Sequence, residues 1–215
     1  MNMNNKKRKL LSLAGCMLAA FALWTAAICL VDVRPIGPLE TRVGFAALNG
    51  FIHNLTGVHM PLYILTDWLS LIPACFVLGF ALLGLMQWIR RKNLLKVDCS
   101  ILLLGGFYVL VLLAFVLFEV FPVNFRPVLI DGKPEASYPS STTMLVLCVI
   151  PTAILQLRSR IRSCPVRRVV SVLLILFAAF MVIARLISGV HWFTDIIGGA
   201  LLSAALVTLY AALNA

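Results

Sequence analysis

The chain has 215 residues, of which 62% are hydrophobic and 12% are charged. Soluble domains are about half apolar and about a quarter charged, so this composition excludes an ordinary soluble domain and indicates an integral membrane protein. The formal net charge of +10 does not indicate a nucleic-acid partner, because the basic clusters lie between apolar runs without interleaved aromatic residues.

Six apolar runs approach or exceed the length that a helix needs to cross a hydrocarbon core of about 30 Å. Because the bilayer offers backbone groups no hydrogen-bond partner, each run is expected to be helical. The predicted fold is therefore all-α, a single integral membrane domain over residues 1–215 that forms a six-transmembrane-helix bundle. The predicted spans are 10–31, 62–89, 99–121, 141–157, 168–187 and 195–213.

The first span follows a basic N-terminal stretch that is similar to a signal peptide. Only six residues separate Lys9 from Cys16, and a cleavable signal needs an apolar region of about 7 to 15 residues before the cleavage site. We therefore interpret this run as an uncleaved first transmembrane helix.

The connections between the spans differ in pattern. Apolar residues over 40–55 recur at helical spacing, which predicts an amphipathic helix lying in the membrane interface. The loop before the fourth span, "PVNFRPVLIDGKPEASYPSS", has Pro or Gly every few residues and cannot be a regular helix.

The Lys and Arg residues are unequally divided between the two ends of the predicted bundle. Most of the 18 lie in the N-terminal segment and in the loops after the second and fourth spans. Since cytoplasmic loops carry an excess of Lys and Arg, we expect both termini in the cytoplasm and the protein in the plasma membrane. The remaining loops, which carry the polar residues described next, are then on the outer side.

Polar side chains from three distant segments are predicted to lie together at the outer membrane edge. Arginine presents a planar charged fork that matches phosphate oxygens, and the start of the fourth span offers free backbone N–H groups to an anion. A carboxylate can orient an imidazole as a nucleophile or base, and His191 and Asp195 share a helix face if the sixth span begins early. The pattern indicates phosphoryl transfer by Arg126, Ser140, Ser141, Thr142, Arg185, His191 and Asp195.

Three of these segments resemble the motifs of the phosphatidic acid phosphatase type 2 family, membrane relatives of the vanadium haloperoxidases. They are "FRP" at 125–127, "YPSST" at 138–142 and "ARLISGVHWFTD" at 184–195, and the resemblance extends over about residues 40–213. It implies that His191 is the nucleophile that forms a phosphohistidine and that Asp195 orients it. It further implies that phosphate is bound by Arg126, Arg185, Ser140 and Ser141.

The sequence departs from the family pattern at two important positions. Glu119 stands where the family has a phosphate-binding Lys, and Thr142 stands where it has the His that protonates the leaving group. General acid catalysis contributes about 10² to 10⁴ in rate, and an alcohol is too weak an acid to supply it. A lipid diphosphate, such as a polyprenyl diphosphate, has a less basic leaving group and is therefore the preferred substrate.

Other residues are candidates to replace the missing groups. Lys133 is a candidate phosphate-binding cation, and His53 or His59 is a candidate proton donor. The structural alternatives are a solvated turn for Lys133 and simple interfacial contacts for the histidines. Glu119 is alternatively expected to pair with an outer-side arginine.

The sequence thus favours a membrane lipid phosphatase, a phosphoric ester or diphosphate hydrolase whose partners are the bilayer and a lipid phosphate or diphosphate. The alternative is a catalytically impaired lipid-phosphate binding or transport protein of the same fold. An unrelated transporter would require inverted repeats, and none is evident. The six cysteines form no CxxC pair or Cys/His cluster, so neither a metal nor another cofactor is expected, and no oligomeric state is indicated.

Overall fold

A computed structural model describes residues 3–214 and contains eight α-helices and one short antiparallel hairpin in that range. The hairpin strands are β1 (Arg34–Ile36) and β2 (Thr41–Val43), and a 3-10 turn covers Leu94–Lys96. The predicted all-α fold is confirmed. The helices are α1 (Met3–Leu30), α2 (Ala46–Thr56), α3 (Met60–Leu69), α4 (Leu71–Arg91), α5 (Cys99–Val120), α6 (Ser141–Arg160), α7 (Cys164–Ile187) and α8 (Phe193–Leu213).

Six segments of the described chain are long and apolar enough to cross a membrane, so the protein is a multi-pass membrane protein. Among them α6 and α8 are the most buried. Helix α1 packs along α8, and α6 packs against both α7 and α8. Leu113 of α5 and Leu173 of α7 are each 60% exposed, as expected of side chains that face lipid.

The second span is interrupted, although the sequence pattern predicts one continuous helix over 62–89. Helix α3 ends at Leu69 and α4 begins at Leu71, with Ser70 between them. Pro73 has no N–H group, so the carbonyl of Leu69 has no donor four residues later. At the break, the Ser70 hydroxyl donates to the carbonyl of Asp67 in the preceding turn. The two helices still form a single segment of spanning length, Met60–Arg91.

The segment before α2 differs from the expected helix over 40–55. Residues 41–43 pair with β1, and Phe45 has a positive φ of 50°, so the helix begins only at Ala46. Helix α2 exposes Phe51 and buries Asn49, whose side-chain amide donates to the Thr194 hydroxyl at 3.0 Å. Its polar contact therefore fastens it to the start of α8, while its apolar face stays exposed.

The loop between α5 and α6 is an irregular hairpin that Tyr138 anchors in the core. Tyr138 is 1% exposed, stacks on Phe21 and hydrogen-bonds Thr25 of α1 at 2.7 Å. Gly198 of α8 makes room for it, because a Cβ at that position would lie 2.2 Å from the tyrosine ring. This close packing holds the loop against the ends of α1 and α8.

Candidate active site

The predicted site segments meet at one end of the bundle. The turn between α7 and α8 carries His191, and the first turn of α8 carries Asp195. The hairpin loop before α6 passes directly over them, because the Ser140 N–H donates to the carbonyl of Asp195 at 3.1 Å. Residues distant in the sequence thus share one buried pocket.

His191 and Asp195 are both buried, with exposures of 3% and 0%. Helix α8 begins only at Phe193, so the two residues do not lie on a common helix face, as an early start would have placed them. The Asp195 carboxylate instead caps the helix by accepting the Trp192 N–H at 2.9 Å. His191 Nδ1 and Asp195 Oδ2 are 3.8 Å apart, which is too long for a direct hydrogen bond.

Ser137 lies between the imidazole and the carboxylate. Its hydroxyl donates to Asp195 Oδ2 and lies 3.1 Å from His191 Nδ1, and its carbonyl oxygen is also 3.1 Å from that nitrogen. Asn124 donates to the second carboxylate oxygen at 3.0 Å. Because the Ser137 hydrogen is directed at Asp195, both oxygens of Ser137 accept from His191. Nδ1 therefore carries the proton, and Nε2 has the free electron pair.

The imidazole of His191 is kept neutral by its surroundings. Burial lowers its pKa from 6.5 to about 4, the positive charges of Arg126 and Arg185 also lower it, and Asp195 opposes the shift. A neutral imidazole with an unprotonated Nε2 is the form that can act as a nucleophile.

Two arginines from distant segments of the chain place their guanidinium groups near the same aromatic ring, that of Tyr63. Arg185 is 1% exposed, donates to the Thr66 hydroxyl at 3.1 Å and lies 4.6 Å from the centre of the Tyr63 ring. The Arg126 guanidinium lies 5.7 Å from the same ring and forms an ion pair with Glu135 at 3.1 Å. Tyr63 and Thr66 of α3 therefore orient the guanidinium groups.

Most of the buried polar side-chain atoms that lack a hydrogen-bond partner in the described chain belong to the predicted site residues or their neighbours. Buried polar groups are nearly always paired, so such a concentration points to a ligand. Arginine nitrogens are donors and hydroxyls can donate, which matches an anion with several oxygens. These atoms are Nε and Nη1 of Arg126, Nε of Arg185, Nε2 of His191, Oγ of Ser140 and Oγ1 of Thr143.

Ser141 and Thr142 form the first turn of α6 and border an apolar groove. The groove has a volume of about 520 Å³ and lies between the α3–α4 break and α5. Asp67 and Ser70 line it at the break, and Leu112 of α5 is among its apolar walls. A groove of this character, beginning beside the polar pocket, is suited to hold a hydrocarbon chain next to a phosphate.

The structure places Glu119 next to Arg126 without pairing them. Both residues line a small cavity of about 30 Å³ together with Glu135. Glu119 is exposed, and Arg126 pairs with Glu135 instead. No ion pair of Glu119 is found within residues 3–214, and its pairing with an outer-side arginine stays a prediction.

The candidate substitutes for the missing groups make no hydrogen bond to His191 or Asp195. Lys133 is exposed in a tight turn closed by backbone hydrogen bonds with Ile130. His59 is exposed, and its Nε2 lies 2.9 Å from the carbonyl of Thr56. His53 is half-buried, its ring centre lies 5.6 Å from that of Trp192, and burial lowers its pKa.

Sequence reasoning missed five residues that shape the pocket. Tyr63 and Thr66 are three residues apart in an apolar span, and this spacing of polar groups on one helix face was a usable signal. The others lie in an irregular loop, where no periodicity identifies a contact. They are Asn124, Glu135 and Ser137. Over residues 3–214, no three His, Cys, Asp or Glu side chains cluster as metal ligands would.

Comparisons with known proteins agree on one family and fold. The family model described as the PAP2 superfamily matches residues 73–214. The chain is also similar to the solved structure of a transmembrane PAP2-type phosphatidylglycerolphosphate phosphatase from Bacillus subtilis, with a TM-score of 0.63 and 20% identity over 94% of this chain and 95% of that one. A search of curated proteins finds no significant match.

Proposed function

Because this chain belongs to the PAP2 superfamily and has the fold of a transmembrane lipid phosphatase, we propose that it hydrolyses the phosphate of a membrane lipid with His191 as the nucleophile. One observation carries the proposal. Buried atoms of Arg126, Arg185 and Ser140 lack hydrogen-bond partners, as does Nε2 of His191, and both arginine charges act on that imidazole. A phosphate would supply the missing acceptors for these donors and present its phosphorus to that nitrogen.

In the first step, Nε2 of His191 attacks phosphorus and the bond to the leaving oxygen breaks. The Nδ1 proton stays on the ring, which becomes a positively charged phosphohistidine. Asp195 stabilises this charge through the Ser137 hydroxyl, and Arg126 and Arg185 stabilise the charge on the phosphoryl oxygens. In the second step, water attacks phosphorus, the N–P bond breaks, and inorganic phosphate leaves.

The first turn of α6 determines which leaving groups are suitable. Thr142 is 7% exposed and borders the apolar groove, where its hydroxyl is too weak an acid to protonate an alkoxide. A phosphate leaving group needs little protonation. We therefore propose a polyprenyl or other lipid diphosphate as the preferred substrate, with its hydrocarbon chain in the groove.

The proposed orientation in the membrane follows the distribution of basic residues. Both termini are cytoplasmic, the protein lies in the plasma membrane, and His191 is on the outer side. The substrate head group then reaches the pocket from the outer leaflet.

The direct test is phosphate release from lipid mono- and diphosphates by the purified protein in detergent. We expect release by the natural chain, with a preference for diphosphates, and a loss of at least about 10³-fold in His191→Ala. Arg185→Ala is expected to lose about 10² to 10³-fold, as when a donor to a developing charge is removed. Equal release by all three proteins would refute the proposal.

The presence of Thr142 at the general-acid position favours a second candidate, a protein that binds or transports lipid phosphate without turnover. This candidate predicts that a lipid diphosphate binds while no phosphate is released at any pH. Under this alternative, Thr142→His is the change expected to produce activity, because it adds the one group that the nucleophilic half of the site lacks.

A further inference from the structure

A second basic site lies at the end of the bundle opposite His191. Helix α6 starts at the candidate active site and runs for 20 residues, a length of about 30 Å. Where it ends and α7 begins, the structure has a groove of about 470 Å³, here called the basic groove. It is lined by Arg158, Cys164, Arg167, Arg168, Ser171 and Val172.

The arginines of the basic groove line it without acidic partners in the described chain. One nitrogen of the Arg167 guanidinium donates to the carbonyl of Arg158 at 3.5 Å, and another contacts Cys164 Sγ at 3.7 Å. The ion pairs found within residues 3–214 involve no arginine of this groove. Since the arginines line one groove and like charges repel, an anion bound between them would relieve the repulsion.

The basic groove also borders a surface that faces lipid. Val172 lines the groove and is 49% exposed, and one turn further along α7 Leu176 is 60% exposed. An apolar strip thus leads from the arginines along the side of α7. A ligand that fits both features has a phosphate head group for the arginines and acyl chains for the apolar strip. A soluble anion has no acyl chains.

We propose that the basic groove binds the phosphate of an anionic phospholipid in the leaflet opposite the candidate active site. Arg158, Arg167 and Arg168 bind the phosphate oxygens as charged forks. The acyl chains lie along Val172 and Leu176. This site is separate from the phosphatase pocket and takes a phosphodiester lipid as a bound ligand, without reacting with it.

Native mass spectrometry of the full chain in detergent, titrated with dioleoyl phosphatidylglycerol or dioleoyl phosphatidylcholine, tests the proposal. The groove variant is Arg158→Gln/Arg167→Gln/Arg168→Gln. The matched control is Arg90→Gln/Lys92→Gln/Lys96→Gln, which removes the same charge from exposed positions that are not ion-paired. We expect the groove variant to bind phosphatidylglycerol at least about tenfold more weakly, while the control and phosphatidylcholine binding stay within about threefold.

Two additional measurements test whether charge alone and the acyl chains matter for binding. Replacing the three groove arginines by lysine keeps their charge, so this variant is expected to bind phosphatidylglycerol better than the glutamine variant if both are folded by circular dichroism. Inorganic phosphate is added as a competitor. Equal losses in the groove and control variants, no preference over phosphatidylcholine, or full displacement by inorganic phosphate would each overturn the assignment to an anionic lipid.

Discussion

At the scale of single residues, the feature that most affects the chemistry is the position of Ser137. The 3.8 Å separation of His191 and Asp195 means that the carboxylate acts on the imidazole through the serine hydroxyl. The proposed phosphohistidine then gains its stabilisation through two linked hydrogen bonds. Removing the hydroxyl would break this link while leaving the arginines in place.

Ser137→Ala is therefore expected to lower kcat for lipid diphosphate by about 10 to 100-fold, the equivalent of a buried hydrogen bond to a charged group. KM is expected to change little, because Ser137 does not bind the phosphate. Steady-state kinetics measure both values. The control is Ser203→Ala, which removes another buried serine hydroxyl, one that donates to the carbonyl of Met144 at 3.4 Å. A loss of activity that is equal in both variants would contradict the role of Ser137.

The pH dependence follows from the same residues. Because burial lowers the pKa of His191 to about 4, the imidazole stays neutral and nucleophilic well below pH 6.5, and only stronger acid protonates Nε2. After correction for titration of the substrate, kcat/KM is expected to hold to below pH 6 and to fall as the pH drops further. An acid limb with an apparent pKa of 6.5 or above would show that His191 is not shielded in this way.

At the scale of secondary-structure elements, the packing of α8 against the hairpin loop positions the pocket. Gly198 lies where a Cβ would come within 2.2 Å of the Tyr138 ring. Tyr138 is next to Ser137 in the chain, so a shift of the ring would also move the hydroxyl that contacts His191. The glycine therefore couples core packing to the geometry of the site.

Gly198→Ala is expected to destabilise the protein by about 1 to 3 kcal/mol, as overpacking of a core does, and to reduce phosphate release. Thermal unfolding in detergent and the release assay measure the two effects. Gly105→Ala in α5 is the matched control, because beyond its own helix backbone and chain neighbours nothing lies within 4 Å of an added Cβ. If the two alanine variants unfold at the same temperature, the coupling does not exist.

The elements also show what the sequence could predict. The length of the apolar runs identified the spanning segments, because backbone N–H and C=O groups in lipid must bond each other and a helix is nearly the only way to do so. The break at Ser70 and the hairpin before Ala46 were missed, since they depend on local hydrogen bonds and strand pairing. The motifs grouped His191, Asp195, Arg126 and Arg185 into one predicted site. The positions of Ser137 and Glu135 depend instead on the path of an irregular loop, which the sequence pattern does not predict.

At the scale of the whole molecule, the chain has two basic features with different surroundings. At one end, Arg126 and Arg185 are almost buried beside a neutral imidazole. At the other end, Arg158 and Arg168 are exposed beside lipid-facing residues of α7. The proposed topology places the first pair at the outer leaflet and the second at the inner leaflet.

Single cysteines in an otherwise cysteine-free chain test this topology with a thiol reagent that does not cross membranes. Lys133→Cys and Arg162→Cys occupy exposed loop positions at opposite ends of the bundle. We expect labelling of the first in intact cells and of the second only after permeabilisation. The opposite pattern would place the termini outside.

The central claim is that His191 receives the phosphoryl group, and trapping of the phosphoenzyme tests it most directly. The natural chain is mixed with lipid diphosphate carrying radioactive terminal phosphate and quenched in alkali, in which phosphohistidine is stable. We predict an acid-labile label on the peptide that contains His191, and no label in His191→Ala. Phosphate release without any such label, or a label that persists in His191→Ala, would contradict the account.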